Sequence, residues 1–220
     1  MKWLYVLAGI ALGLKLLWTP NIGLIESNTW IVDAIVKDSN IPNTVSAIIL
    51  RNRLYDTIFE VVVFSIAVFG VKYLLANEST SSEIRQFTDQ PSVVLARLGA
   101  TVSALVAIEL AIRGHLSPGG GFAAGVAGGT AIALVAITTA PETMQGLYKK
   151  WRAAGWEKIS VLLFIILSVI NLSGVELPKG ELGTLLSGSF IPILNVLVAI
   201  KVTLGSWAVT LLFIRYRGLL

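Results

Sequence analysis

The sequence has no cysteine and one histidine in 220 residues. The missing thiols exclude disulfides, thiolate metal sites and iron–sulfur clusters bound by this chain. A single histidine offers too few nitrogen ligands for a transition-metal site built from this chain alone, so no metal is predicted. Phosphate-binding loops, nucleophile elbows and dinucleotide fingerprints are also missing, and no catalytic site is expected.

Charge is equally scarce, since 14% of the residues are charged and 55% are hydrophobic. A typical soluble domain has about 25% charged residues. The mean hydropathy is +0.80, and the composition indicates an integral membrane protein that is embedded in, and in contact with, the lipid bilayer. The net charge of +4 reflects the distribution of charges among loops, and no nucleic-acid partner is expected.

The apolar residues fall into six runs that predict an all-α membrane protein with six transmembrane helices. The runs cover residues 3–18, 58–75, 93–112, 122–139, 159–172 and 190–213. The first has the length of a signal peptide, but no small-residue cleavage site follows and Thr19-Pro20 is a helix stop, so we interpret it as a retained span. An apolar segment at 43–51 is too short to cross the bilayer and is expected to lie at the interface or to re-enter.

Basic residues predict the orientation of these spans. With the N-terminus inside, nine lie on the inner side and five on the outer side. The inner set is Lys2, Lys72, Arg85, Lys149, Lys150, Arg152, Lys158, Arg215 and Arg217, and the outer set is Lys37, Arg51, Arg53, Arg113 and Lys179. The positive-inside rule then places both the N- and C-termini in the cytoplasm, in a multi-pass protein of the cell membrane.

Small residues recur at every fourth position in the third and fourth predicted spans. One stripe is Gly99, Ser103, Ala107 and Ala111, and the other is Gly121, Gly125, Gly129 and Ala133. Such stripes let membrane helices approach closely, so we predict an antiparallel hairpin whose two backbones nearly touch. Packing alone explains the stripes, whereas the turn at 113–122 is more specific in composition than packing requires.

That turn carries a family resemblance. The pattern Gly114-His115-x-x-Pro118-Gly119-Gly120-Gly121-Phe122-x-x-Gly125 resembles the signature of the MnhB/MrpB-type subunits of Mrp-type multisubunit sodium/proton antiporters. A related subunit occurs in energy-converting membrane-bound hydrogenases and sulfane reductases. The resemblance covers about residues 90–215.

A second resemblance covers the N-terminal third. The pattern Asn43-x-Val45-…-Arg53-x-x-Asp56-Thr57-x-x-Glu60 is similar to the C-terminal segment of the A-type antiporter subunit, which membrane-bound hydrogenases carry as a separate small (MbhE-like) subunit. The sequence departs from it at Arg51, where an acidic residue is expected, and at Phe59, where glycine is expected. We therefore predict a two-helix A-tail module at 1–76, a polar linker at 77–92 and a four-helix MnhB/MrpB-like module at 93–220.

Acidic residues inside the spans are candidates for ion translocation, because burying a charge in a membrane is expensive. Glu60 follows Asp56 by four residues, which places both carboxylates on one helical face, where repulsion and burial favour proton binding. Alternatively, Arg53 lies three residues before Asp56 and neutralises its carboxylate. Glu60 is therefore either a proton relay or a member of a structural ion pair. Glu109 precedes Arg113 by four residues and either conducts or anchors the turn through a salt bridge.

Two basic candidates complete the set. His115 titrates near neutrality without help, or it holds the turn by hydrogen bonds to loop carbonyls. Lys201 lies eleven residues into the last span, about 16 Å from its start and near the bilayer midplane. It is either a proton acceptor or the partner of an acid on a neighbouring subunit. With Glu60 and Glu109, these residues predict a polar ladder from the outer surface to the membrane centre.

The resemblance implies a subunit that works inside a large assembly, where redox energy or a proton gradient drives sodium across the membrane. The implied partners are A-, C-, D-, F- and G-type antiporter subunits. Redox cofactors are expected only in partner subunits, and a sodium ion is the one ligand implied for this chain. The role is either ion translocation or that of a structural adaptor without its own ion path. The host is a hydrogenase, a sulfane reductase or a freestanding antiporter, and the separate A-tail segment favours the redox complexes.

A transporter or membrane enzyme acting alone is disfavoured, because the sequence has no recognisable inverted repeat and no catalytic constellation.

Overall fold

The computed structural model describes residues 29–80, 84 and 86–218, and every regular element in these ranges is helical. The helices are α1 (Thr29–Ser39), α2 (Thr44–Ala47, continued by a π-helical turn over Ile48–Asn52), α3 (Leu54–Leu75), α4 (Gln90–Arg113), α5 (Gly120–Ala136), α6 (Pro141–Lys150), α7 (Ala153–Leu172) and α8 (Ile191–Arg217). The chain divides into a first compact unit, Met1–Asp33, and a second, Ala34–Leu220. Of the first unit only the beginning of α1 is described, and the remaining helices form the second.

Four of the described helices are long and apolar enough to cross a membrane, namely α3, α4, α7 and α8. Helix α5 is apolar but shorter, with 17 residues. These five helices match the second to sixth predicted spans, and the first, at 3–18, lies outside the described residues. The all-α, multi-pass character is therefore confirmed for the described part of the chain, while the count of six spans and the orientation of the termini stay predictions.

Two helices lie in segments that connect the predicted spans. Helix α1 lies in the stretch between the first two predicted spans. Helix α6 lies between the fourth and fifth predicted spans. Its end residues agree with the helix dipole: Pro141 stands in the first turn, Glu142 is acidic near the N-terminus, and Lys149 and Lys150 are basic near the C-terminus. Both helices are too short for a membrane-length hydropathy window to detect, and α6 is polar as well.

Helix α8 is the centre of the bundle, because α3, α4, α5, α6 and α7 all pack against it. Leu194, Val198 and Val202 repeat along one of its faces and form a core with Val61 of α3 and Phe164 of α7. This helix therefore shields part of its surface from lipid, and a polar side chain on it can be buried by protein.

Helices α4 and α5 form the predicted antiparallel hairpin. Their contact uses part of the first small-residue stripe: the Ser103 hydroxyl donates to the Ala127 carbonyl at 3.0 Å. A Cβ added at Gly99 would lie 3.2 Å from Leu134. The hairpin is as predicted, but the glycine stripe of α5 is not what joins the two helices.

The glycine stripe of α5 faces α8 instead. A Cβ at Gly125 would overlap the side chain of Val202 and lie 3.0 Å from the Ala199 carbonyl oxygen, and one at Gly129 would lie 2.6 Å from Ser206 Cβ. The prediction of closely approaching backbones was correct, but the predicted partner helix was wrong. A stripe of small residues allows a close neighbour and does not specify which helix it is.

The helices place two groups of loops at opposite ends of the second unit. At the glycine-turn end, the Asn40 side chain donates to the Gly180 carbonyl at 2.6 Å, which joins the α1–α2 connection to the α7–α8 loop. At the linker end, the Gln86 side chain donates to the Thr139 carbonyl at 2.8 Å, which joins the segment before α4 to the end of α5. Each candidate residue can be located by its distance from these two ends.

An ionic cluster at the glycine-turn end explains one departure from the family pattern. Arg51, where an acid was expected, donates to Asp38 at 2.8 Å and also to Glu176, and Lys179 lies 3.2 Å from Glu176. The Arg51 guanidinium holds the pKa of both carboxyls below their usual values. Within the second unit, Arg51 therefore ties the C-terminal end of α1 to the α7–α8 loop, a role that an acid at this position cannot fill.

Candidate functional site

The glycine turn is a buried polar structure centred on His115. The imidazole is fully buried, and its Nε2 lies 3.3 Å from the Thr184 carbonyl oxygen in the α7–α8 loop. Its Nδ1 has no hydrogen-bond partner in the described part of the chain. Of the two roles predicted for His115, the geometry favours the one in which the ring holds loop carbonyls in place.

Asn43 connects the two segments that carry the family resemblances. Its side-chain amide donates to the carbonyls of Gly114, at 2.8 Å, and Ser117, at 2.7 Å. The Ser46 hydroxyl also donates to the Gly114 carbonyl, at 2.6 Å. The segment at 43–51, predicted to lie at the interface or to re-enter, is therefore a short helix that packs on the glycine turn.

Asn195 of α8 supports the same turn from the other side. Its amide donates to the carbonyls of Leu110, at 3.1 Å, and Ala111, at 2.7 Å, which satisfies acceptors left free at the end of α4. Gly114 is required here, because a Cβ would lie 2.7 Å from the Leu110 carbonyl oxygen, and Gly119 has a φ of 136° that disfavours any side chain. The conformation of the turn is therefore determined by contacts from α2, α4 and α8.

Burial of His115 makes the stability of the turn depend on pH. Desolvation lowers the pKa of His115 below its ordinary value of 6.5, although hydrogen bonds to backbone carbonyls partly oppose this. Protonation of the folded chain would also place a second N–H donor on the buried Nδ1 atom. The neutral imidazole is thus the form that the folded turn accepts.

We expect the stability of the assembled protein to fall as the pH is lowered from 8 to 5. Because the folded-state pKa is depressed, the unfolded chain binds more protons below about pH 6.5, and up to about 1.4 kcal/mol per pH unit is lost in that window. Thermal unfolding at each pH measures the effect. His115→Gln keeps a donor for the Thr184 carbonyl and loses the titration, so its profile should be flatter. Parallel profiles for the two proteins would contradict this role of His115.

A second polar site lies inside the helical bundle. The ammonium group of Lys201, 1% exposed, lies 3.0 Å from a carboxylate oxygen of Glu157, whose side chain is 15% exposed. The same nitrogen lies 4.5 Å from the centroid of the Phe64 ring, within cation–π distance. Lys201 therefore has its charge partner in this chain, on α7, and the prediction of an acid on a neighbouring subunit is not needed to explain its burial.

Aromatic and small residues enclose this ion pair. Phe64 contacts Phe122 edge-on, with ring centroids 6.0 Å apart. Phe122 belongs to the glycine-turn motif, so Phe64 contacts both this motif and Lys201. A Cβ at Gly205 would meet Phe64 and would lie 3.3 Å from a carboxylate oxygen of Glu157. In such apolar surroundings each charge depends on its partner, because an uncompensated buried ion is costly.

Glu157 is a site residue that the sequence pattern does not reveal. It precedes the fifth predicted span, whereas α7 begins six residues earlier than that span, at Ala153, and places Glu157 one turn inside the helix. A buried lysine requires a counter-charge, and this was the signal available: Glu157 is an acid beside an apolar run, among basic neighbours that gave it the appearance of a surface residue.

The other acidic candidates lie on the outside of the bundle. Asp56 forms an ion pair with Arg53, and the Glu109 carboxylate lies 3.3 Å from Arg113, the structural alternatives described above. Glu60 is exposed and has no salt-bridge partner in the part of the chain that the structure describes. The structure therefore does not bring these three acids into contact with the buried Glu157–Lys201 pair.

The described residues contain no group of three or more histidine, aspartate or glutamate side chains that could hold a metal ion. The arrangement instead supplies a neutralised charge pair inside an apolar bundle and a rigid polar turn at one end. These features define a multi-pass membrane protein that retains charge within its helical core.

The family follows from a direct comparison. Residues 91–208 match the model of a family described as "Domain related to MnhB subunit of Na+/H+ antiporter". The chain belongs to this family, and the resemblance found in the glycine turn is confirmed. No curated protein matches the sequence.

Two solved structures share the fold. A chain of the membrane-bound sulfane sulfur reductase, an archaeal respiratory membrane complex, matches with a TM-score of 0.75 at 24% identity, over 97% of this chain and 96% of that one. A chain of the Mrp complex from Dietzia sp. DQ12-45-1b matches with a TM-score of 0.66 at 17% identity, over 96% of this chain and 25% of that one. Both neighbours are subunits of multisubunit membrane complexes.

Proposed function

We propose that this chain is a membrane-arm subunit of an Mrp-type sodium/proton antiporter module, coupled to an energy-converting respiratory complex of the hydrogenase or sulfane reductase type. Family membership supports the antiporter module, and the likeness in fold to a chain of an archaeal respiratory complex supports the host. The observation that carries a role in ion translocation is the Glu157–Lys201 pair, since ionisable residues are costly inside a membrane bundle and are characteristic of ion pathways.

The pair has a simple way of responding to a cation. Glu157 lies four residues after the start of α7, about 6 Å from the linker end of that helix, whereas Lys201 lies sixteen residues, about 24 Å, from the linker end of α8. A cation entering from the linker end reaches the carboxylate first. A proton or a sodium ion bound there weakens the attraction that holds the ammonium group, so Lys201 is free to change partner.

Exposed acids on apolar helices point to the subunit's contacts with its neighbours. Glu60 on α3 and Glu109 on α4 lie on faces otherwise rich in large apolar side chains, and a carboxylate rarely faces lipid. We infer that partner subunits, of the A-, C-, D-, F- or G-type, cover these faces. Glu60 then belongs to an ion route that continues into a partner, and redox cofactors lie only in such partners.

We expect Glu60→Gln to abolish or strongly reduce sodium-dependent transport while the complex still assembles, because glutamine keeps the volume and loses the charge. Transport by the purified complex in proteoliposomes measures the effect. Glu109→Gln is the matched control and should have a smaller effect, because Arg113 holds that carboxylate in a salt bridge. Sodium transport at the normal rate in the Glu60→Gln complex would remove Glu60 from the route.

The orientation has its own test. With both termini in the cytoplasm of a cell-membrane protein, Lys150 at the linker end and Lys179 at the glycine-turn end lie on opposite faces. The chain has no native cysteine, so Lys150→Cys and Lys179→Cys are clean reporters. We expect an impermeant thiol reagent added outside intact cells to label only the second variant. Labelling of both from the same side would contradict the proposed topology.

A structural adaptor without its own ion path is the second candidate. Its support is that Asp56 and Glu109 are paired locally with Arg53 and Arg113 at the surface, where such pairs contribute little beyond local order. In that role the chain holds antiporter-like subunits together, in a respiratory complex or in a freestanding antiporter. Transport by variants of the buried pair separates this role from ion translocation.

A further inference from the structure

A cavity of about 540 Å³ lies at the linker end of the second unit. Its described walls come from α3, α6, α7 and α8 and from the segment that follows α3. Three of the lining side chains are basic: Lys72 of α3, Lys149 of α6 and Arg215 of α8. One lining carboxylate, Glu142, opposes them, so the described charges lining the cavity leave an excess of two positive charges.

Tyr148 adds an oriented hydrogen-bond donor to the same cavity. Its ring packs edge-on against Trp207, with centroids 5.2 Å apart and an interplanar angle of 87°, which limits its rotation. Burial raises the pKa of the Tyr148 hydroxyl, and the nearby Glu157 carboxylate raises it further, so the hydroxyl keeps its proton. The cavity is thus lined by a tyrosine as well as by three basic side chains, and both kinds of group can bind a phosphate oxygen.

The lining of the cavity changes along α8 from apolar to basic. The residues of this helix that line it run from Ala208 to Arg215 and include Leu211 and Leu212, a distance of about 10 Å along the axis. Its charged residues lie near the ends of their helices, since Lys72 is three residues before the end of α3 and Arg215 is two before the end of α8. The cavity therefore has a cationic rim at headgroup depth and an apolar wall that extends toward the membrane interior.

We propose that this cavity binds one anionic phospholipid. Lys72, Lys149, Arg215 and Tyr148 bind the headgroup phosphate, and an acyl chain lies along Leu211 and Leu212. A soluble anion has no use for the apolar wall, whereas an amphiphile uses both parts. The linker end is also the more basic end of the chain, as expected for the side that faces an anionic leaflet. The proposal is independent of whether the chain conducts ions.

The test uses the full chain in its assembled complex, reconstituted in phosphatidylcholine nanodiscs with and without phosphatidylglycerol. Native mass spectrometry counts the retained phosphatidylglycerol, and titration gives its apparent affinity. We expect Lys149→Gln/Arg215→Gln to weaken binding about thirtyfold, the effect of removing two basic groups near a membrane surface. Lys150→Gln/Lys158→Gln is the matched control: it removes the same charge near the same end, from residues that do not line the cavity, and should bind normally.

A third variant guards against misfolding of the first. Tyr148→Phe removes one donor and no charge, so it should fold and still bind several-fold more weakly. Millimolar inorganic phosphate should neither displace phosphatidylglycerol nor raise the melting temperature in neutral nanodiscs. Wild-type affinity in both cavity variants would overturn the proposal, and so would equal losses in the cavity and control double variants. Displacement of the lipid by inorganic phosphate would overturn it as well, because the site would then be one for a soluble anion.

Discussion

Gly125→Leu is expected to prevent assembly of the complex. A Cβ at this position would already overlap Val202 and lie 3.0 Å from the Ala199 carbonyl oxygen, so a leucine side chain has to push α5 away from the central helix. Overpacking of a close helix contact costs about 1–3 kcal/mol, and separating two backbones that approach this closely places the cost at the upper end of that range. Yield of the intact complex after affinity purification and size-exclusion chromatography measures the outcome.

Gly70→Leu is the control for this substitution. Gly70 lies within α3, and a Cβ there has nothing within 4 Å. The two variants make the same chemical change in two apolar helices, but only one of them faces a closely packed neighbour in this chain. Normal assembly of the Gly125→Leu complex would mean that α5 does not pack on α8 through its glycine face.

Breaking the buried ion pair should have the second large effect. Glu157→Gln or Lys201→Met leaves a single charge in an apolar bundle, which costs about 3–5 kcal/mol. We expect a marked fall in melting temperature and in the yield of complex for each single variant. The double variant removes both charges together and should recover most of the lost stability, because no uncompensated ion remains.

An exposed ion pair in the same chain is the matched comparison. The Arg217 guanidinium lies 2.8 Å from a Glu78 carboxylate oxygen, and both side chains are substantially exposed. Single substitutions of this pair by glutamine should change stability by less than about 1 kcal/mol, as is typical of surface salt bridges. Equal losses of stability on breaking the two pairs would contradict the claim that burial makes the Glu157–Lys201 pair the stronger contributor.

The helices that the sequence predicted are those whose formation depends on local properties. Helices α3, α4, α7 and α8 combine apolar composition with sufficient length, and these two properties are visible in any window of residues. The turn between α4 and α5 was predictable because proline and consecutive glycines break helices locally. Helices α1 and α6 were not predicted, because a helix of only 11 or 10 residues is too short for a membrane-length hydropathy window to distinguish it from a loop.

Pairings between distant residues could not be predicted in the same way. Asn43 and Gly114 are 71 residues apart, and nothing in their spacing indicates that the amide of one bonds the carbonyl of the other. Glu157 and Lys201 are 44 residues apart, and their contact depends on how α7 rotates against α8. The sequence left two alternatives for Lys201, a proton acceptor or the partner of an acid on a neighbouring subunit, because a lysine in a membrane span either loses its proton or is paired. The sequence did not identify the partner, since α8 has several neighbouring helices.

The two segments that carry the family resemblances are in direct contact in the structure. Asn43 comes from the segment similar to the A-type antiporter subunit, and its side chain holds the turn that carries the MnhB-type motif. In the second unit, the residues from Ala34 to the end of α3 pack with the residues of the MnhB-related domain. The module boundary at 77–92 stays a prediction about the chain's organisation, since a contact of this kind forms equally well between fused or separate segments.

Sodium-dependent proton movement by the Glu157→Gln/Lys201→Met complex tests the central claim most directly. This variant keeps the packing between α7 and α8 and removes the charges, so a change in transport does not arise from a failure to assemble. In sealed proteoliposomes that contain equal amounts of intact complex, we predict at least a tenfold lower rate than for the wild type and for Glu78→Gln/Arg217→Gln. A double-variant complex that moves sodium and protons at the wild-type rate would show that the buried pair is structural and that the ion route lies in the partner subunits.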